Sequence, residues 1–89
     1  MKVYLVYAET YNYEEQTKID YLQAVCSSMK SAQNECKMLA TLMVREFSAY
    51  HYDAKMGVNE EGNIVVSKFF YGHLCEESHF TIEEREVKD

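Results

Sequence analysis

The sequence predicts a small α+β domain: a twisted antiparallel sheet of about four strands with one long helix packed on one face. Three observations carry that prediction. Apolar residues recur at helical spacing from Met29 to Tyr50, whereas β-branched and aromatic runs fill the segments on either side. The chain has no proline and only three glycines, so nothing divides it, and residues 1–89 are read as a single domain.

Residues 2–8 (Lys-Val-Tyr-Leu-Val-Tyr-Ala) are apolar on both parities, as suits a strand covered on both faces or placed centrally. Thr10 to Glu15 reads as a loop. In residues 18–26, Ile19, Tyr21 and Val25 share a face and predict a second strand antiparallel to the first. Ser27 and Ser28 supply a hydroxyl for the free amides of a first helical turn. Behind them Met29, Ala32, Cys36, Leu39, Met43, Phe47 and Tyr50 form one stripe, which sets the helix from about Ser28 to Ser48 or Tyr50. The pattern breaks after Tyr52-Asp53. Val58 to Asn63 reads as a hairpin turn, with Gly62 free to take a positive φ. Residues 63–71 form the strongest strand of the chain, Gly72 to Ser78 a loop, and residues 79–87 a last strand, although Glu83-Glu84-Arg85-Glu86 also suits a helix.

At 47% hydrophobic content with twelve aromatic rings, the chain has enough apolar material for a core. Three cysteines, Cys26, Cys36 and Cys75, are an odd count without CxxC spacing, which points to reduced thiols. The apolar run near Met1 is too short for a signal peptide, and nothing approaches the length of a membrane span. The expected location is therefore cytoplasmic, with no membrane partner. A net charge of −6 argues against direct nucleic-acid binding, which needs lysine and arginine to neutralise phosphates.

That charge is unevenly placed. Residues 1–45 balance five basic against five acidic residues, whereas residues 46–89 hold four and ten. The expectation is that Glu60, Glu61, Glu76, Glu77, Glu83, Glu84 and Glu86 converge into one patch that imitates phosphate charge and occupies a basic groove of a partner protein. Acidic surface that merely keeps a small protein in solution is the plain alternative. Eight tyrosines accompany the acids, and most suit core and rim packing. Tyr11 and Tyr13, flanking Asn12, and Tyr50 and Tyr52, flanking His51, are hardest to place in a core and are the candidate recognition residues.

Enzyme chemistry finds little support. His73, Cys75 and His79 offer ligand types that zinc accepts, with His51 a fourth, but they form one cluster rather than two knuckles; no metal and no cofactor is expected. Cys75 has histidines nearby but no glycine-rich nucleophile turn. The adjacent glutamate pairs point to opposite faces if they lie on strands, and no pocket or phosphate-cradling loop accompanies them. The expectation is a protein that is not an enzyme.

Met1 to Val6, Ser28 to Ala32 and Ile82 to Val87 together resemble very short uncharacterised proteins of bacteriophages and mobile elements, with a β-β-α-β layout. The resemblance covers under a quarter of the chain and assigns no functional residues. It implies a phage or plasmid origin, the cytoplasm of a bacterial host, and a host protein as partner. On that reading the protein inhibits a host defence complex that binds nucleic acid, such as a CRISPR complex. Two other readings stand beside it. One is a homo-oligomeric structural or accessory module pairing through an open sheet edge or through the helix, where Met38, Leu42 and Val44 widen the apolar face. The other is a small zinc-binding domain.

Overall fold

A computed structural model describes residues 1–88. Its elements are β1 (Lys2–Asn12), β2 (Thr17–Cys26), α1 (Met29–Ala49), β3 (Asp53–Val58), β4 (Ile64–Phe70) and β5 (His73–Glu86). The five strands form one antiparallel sheet in the order β2-β1-β5-β4-β3. The expected α+β architecture is therefore present, with five strands rather than four. The extra strand is β3, whose Asp-Ala-Lys-Met-Gly-Val sequence lacks the β-branched density that marks the others.

β5 is the spine of the sheet. At fourteen residues it pairs with β1 along almost its whole length, from Glu76 opposite Asn12 to Glu86 opposite Lys2. β4 pairs only with its first half, between His73 and Phe80. From Thr81 onward β5 has no neighbour on that side, and the sheet is shaped like an L. Glu83, Glu84, Arg85 and Glu86 fall on this unaccompanied half. Charged side chains on a free edge oppose pairing with a foreign strand, which gives the acidic run a local reason. Of the segment from Gly72 to Ser78, expected to be a loop, His73 to Ser78 belong to β5. The turn itself is only Tyr71 and Gly72, and a bulge near Phe69 and Leu74 interrupts the ladder, which disguised the alternation in the sequence.

Alternation places Tyr4, Val6 and Ala8 of β1, Phe80 and Ile82 of β5, and Ile64 and Val66 of β4 on the face that meets α1. Against them the helix sets Ala32, Cys36 and Ala40, all buried, with Leu39, Met43, Val44 and Phe47 packed beside them. Small residues in the centre of the helical stripe let its backbone lie close to the sheet. The stripe frays at its ends, where Met29 and Tyr50 are exposed. Ser28 caps the helix, its Oγ accepting from Ser31 N at 3.1 Å.

A second bulge, in β2 opposite Val6 and Tyr7, corrects the expected face of that strand. Ile19 and Tyr21 pair with Thr10 and Ala8 and share the helix side, but Val25 pairs with Leu5 and lies on the open side. Since α1 starts beside the end of β2 and finishes beside the start of β3, it crosses the sheet diagonally. The Ile19–Tyr21 corner is left uncovered.

Candidate functional site

Three connections meet at one end of the molecule, which measures 50 × 23 × 23 Å. They are the β1–β2 turn, the α1–β3 link and the β4–β5 turn, all at the level where Asn12 pairs with Thr17 and Glu76. Each contains a non-glycine residue with positive φ: Gln16 (56°), His51 (65°) and Tyr71 (49°). These are all such residues among the described ones.

The local causes differ. In the first turn Asn12 Oδ1 accepts from the backbone N–H of Glu14 and Glu15, at 3.1 and 3.0 Å, while Tyr13 N donates to Cys75 O at 3.0 Å. The helix ends in a Schellman arrangement: Tyr52 N donates to Phe47 O and His51 N to Ser48 O, which puts His51 where glycine usually stands. In the β4–β5 turn both central residues, Tyr71 and Gly72 (φ 79°), are left-handed, as a tight hairpin requires. Left-handed backbone costs a side-chain-bearing residue about 1–2 kcal/mol.

This end is rich in aromatic rings. Tyr50 and Tyr71 are 70% and 86% exposed, and Tyr13 is half-exposed. Tyr52 lies 5.7 Å from Phe70, which lies 4.5 Å from Tyr71, so the rings link the helix exit to the hairpin. Lys68 Nζ sits 4.6 Å from the Tyr52 centroid and 5.2 Å from that of Phe47, and pairs with Glu76 at 2.9 Å. Burial opposes the charge on Lys68, but the hydrogen bond and charge of Glu76 outweigh it and raise the ammonium pKa. Tyr11, on the open face, packs edge-on against His79 at 5.5 Å and carries Lys18 over its ring. Burial, then the charges of Glu77 and Tyr11, raises the Tyr13 phenol.

The four expected tyrosines, Tyr11, Tyr13, Tyr50 and Tyr52, thus lie at one end. Tyr71 and Phe70 join them, although their place in a β-rich run concealed them in the sequence. A tyrosine directly before Gly72 was the only signal, since that position of a tight turn favours asparagine.

The seven glutamates do not converge. Along β5, Glu76, Glu84 and Glu86 fall on the helix side of the sheet and Glu77 and Glu83 on the open side. Each faces a partner: Lys68 for Glu76, His79 for Glu77 at 2.6 Å, Arg85 for Glu83 at 3.0 Å, Lys2 for Glu84 at 3.2 Å, and the N-terminal ammonium for Glu86 at 3.2 Å. Glu60 and Glu61 stand apart in the β3–β4 turn. Only Glu76 and Glu77 share the tyrosine-rich end.

The metal candidates separate as well. His73 is exposed beside the hairpin, the Cys75 thiol is buried and donates to His73 O, and His79 lies two pleats further along. No group of three or more His, Cys, Asp or Glu that could hold a metal occurs among the described residues. His79 has both ring nitrogens occupied, Nε2 by Glu77 and Nδ1 by the Asn59 side chain at 3.4 Å. A hollow of about 450 Å³ opens under the helix beside the free half of β5, over Ile64, Phe80 and Ile82, with Gln33 and Lys37 at its rim. It brings no acid–base pair together. None of the helices described is long and apolar enough to cross a membrane.

Comparison with protein-family models, with curated proteins and with solved structures finds no match to this chain.

Proposed function

We propose that this protein is a non-enzymatic binding module that docks a partner protein through its tyrosine-rich turn end. One observation carries the reading: three separate connections, each holding a left-handed non-glycine residue, present exposed tyrosines at the same end. Strained backbone persists where surrounding structure enforces it and gathers at binding sites. Tyrosine gives broad contact area with a hydrogen-bonding tip and loses little rotamer freedom on docking.

The acidic component has a smaller part than the charge tally implied. Glu14, Glu15 and Glu77 flank the tyrosines and favour a basic partner surface, while Glu83, Glu84 and Glu86 serve the free edge of β5. In the setting that the phage resemblance implies, the partner is a host protein, and the groove of a nucleic-acid-binding defence complex such as CRISPR is one member of that class. Inhibition follows from occupying the groove.

The test is a capture experiment from bacterial lysate with three baits: wild type, a Tyr13→Ser/Tyr50→Ser/Tyr71→Asn variant, and a Glu83→Gln/Glu84→Gln variant. A protein held by the first and third baits at high salt, but lost from the second, supports the reading. Identical captures on all three, or loss from the glutamate variant alone, sink it.

A further inference from the structure

We infer that the outer edge of β2 is a self-pairing surface, where a second copy of this chain adds its own β2 antiparallel and extends the sheet to ten strands. This goes beyond the turn-end reading and rests on different residues.

β2 is an edge strand of ten residues, with one backbone side unpaired. Edge strands are usually blunted by shortness, proline or inward charge. This one instead exposes four large apolar side chains: Ile19 (47%), Tyr21 (53%), Leu22 (54%) and Val25 (59%). Because α1 crosses diagonally, the Ile19–Tyr21 corner has room on the helix side.

Charge then selects the occupant. Lys18 and Asp20 both lie on the open face, opposite Tyr11 and Glu9 of β1. With a two-fold axis through Ile19, Lys18 of one copy faces Asp20 of the other, and the reverse pair forms on the far side. Ile19 meets Ile19, and Tyr21 covers Thr17. Opposite charges and apolar pairs directly across an antiparallel ladder are the favourable combinations. Shifting the axis to Asp20 or to Lys18 sets like charges face to face. The β2 bulge bends the strand beyond Tyr21 and bounds the paired stretch from Thr17 to Tyr21.

In the register that matches Ile19 with Ala54, the other edge is disfavoured as a partner of β2. β3 carries Asp53-Ala54-Lys55. Laid antiparallel on β2 with Ala54 against Ile19, it opposes Lys55 to Lys18 and Asp53 to Asp20. A two-fold β2–β2 pairing uses the same surface of both copies and closes as a symmetric dimer.

The experiment is light scattering or sedimentation from low micromolar to millimolar protein. Wild type is expected to double its mass across this range. Lys18→Asp alone and Asp20→Lys alone are each expected to stay monomeric, with circular dichroism confirming that both fold. An equimolar mixture of the two variants restores the dimer mass, since each then faces the opposite charge. Asp53→Lys on β3 leaves the wild-type transition in place. A wild type that stays monomeric at millimolar concentration overturns the inference, as do single variants that dimerise unchanged, a mixture that fails to pair, or a dimer abolished by Asp53→Lys.

Discussion

Tyr71 occupies a position where a β-carbon is a liability, with φ at 49° and its ring almost fully in water. The edge-on contact of Tyr71 with Phe70, at 4.5 Å, returns part of that cost, since such pairs contribute about 0.5–1.5 kcal/mol. Asparagine tolerates the left-handed region better. Tyr71→Asn is therefore expected to leave the melting temperature unchanged or to raise it, by up to about 1 kcal/mol of stability, while weakening partner capture. A variant that melts earlier by that amount would show that the ring supports the fold more than the turn strains it. The sequence singled out Tyr11, Tyr13, Tyr50 and Tyr52 as candidates because each flanks Asn12 or His51 and is hard to place in a core. It missed Tyr71 because Phe69, Phe70 and Tyr71 read as one continuous strand, and only the backbone angle distinguishes the last of them.

Helix α1 was the most legible element, since periods of three and four from Ala32 to Phe47 admit one face only. Its start rests on the Ser28 hydroxyl, because the first turn holds no acidic side chain to help satisfy its amides. Ser28→Ala is expected to cost about 1 kcal/mol, read as an earlier thermal midpoint. Ser28→Asp should restore most of it, and an alanine variant with unchanged midpoint would move the capping role elsewhere. β5 was half legible. Phe80 and Ile82 announced its second part, but the bulge near Leu74 broke the alternation between His73 and Ser78, and two histidines with a cysteine resembled a ligand loop. β3 left no periodic trace because it is a short edge strand with Gly57 inside it. The β2 bulge shows the same limit: one extra residue sends Val25 to the opposite face from Ile19, and no pattern of period two can anticipate it.

At the scale of the whole molecule, the excess of acid proved to be a count rather than a surface. Five of the seven glutamates meet a cation or an imidazole, and the three exposed pairs, those of Glu83, Glu84 and Glu86, contribute about 0–1 kcal/mol each. The titration behaviour of the fold instead points to alkaline pH. Burial raises the Cys36 thiol above its ordinary value of 9.0, with the charges of Cys26 and Glu35 adding to it, and Lys68 lies above its ordinary 10.5. In both cases the folded state holds its proton more tightly than the unfolded chain. Their contribution is complete below the unfolded values and declines once pH rises past 9, first through the thiol and then through the ammonium. Melting temperatures are expected to fall from about pH 9 upward, and Cys36→Ala to flatten the first part of that fall. A midpoint that holds steady to about pH 11 would contradict the shifts.

Met1 lies beside Glu86 and Val87 at the end of β5. The Met1 ammonium reaches Glu86 at 3.2 Å and Val87 N donates to Met1 O at 2.7 Å, at the opposite pole from the tyrosines. An affinity handle, a fluorophore or a fused carrier attached at Met1 therefore stays clear of the tyrosine-rich end where docking is proposed. A short peptide bridge could also join Val87 to Met1 and the chain be reopened between Glu60 and Gly62, giving a circular permutant that keeps the sheet intact and moves the attachment point halfway along the molecule.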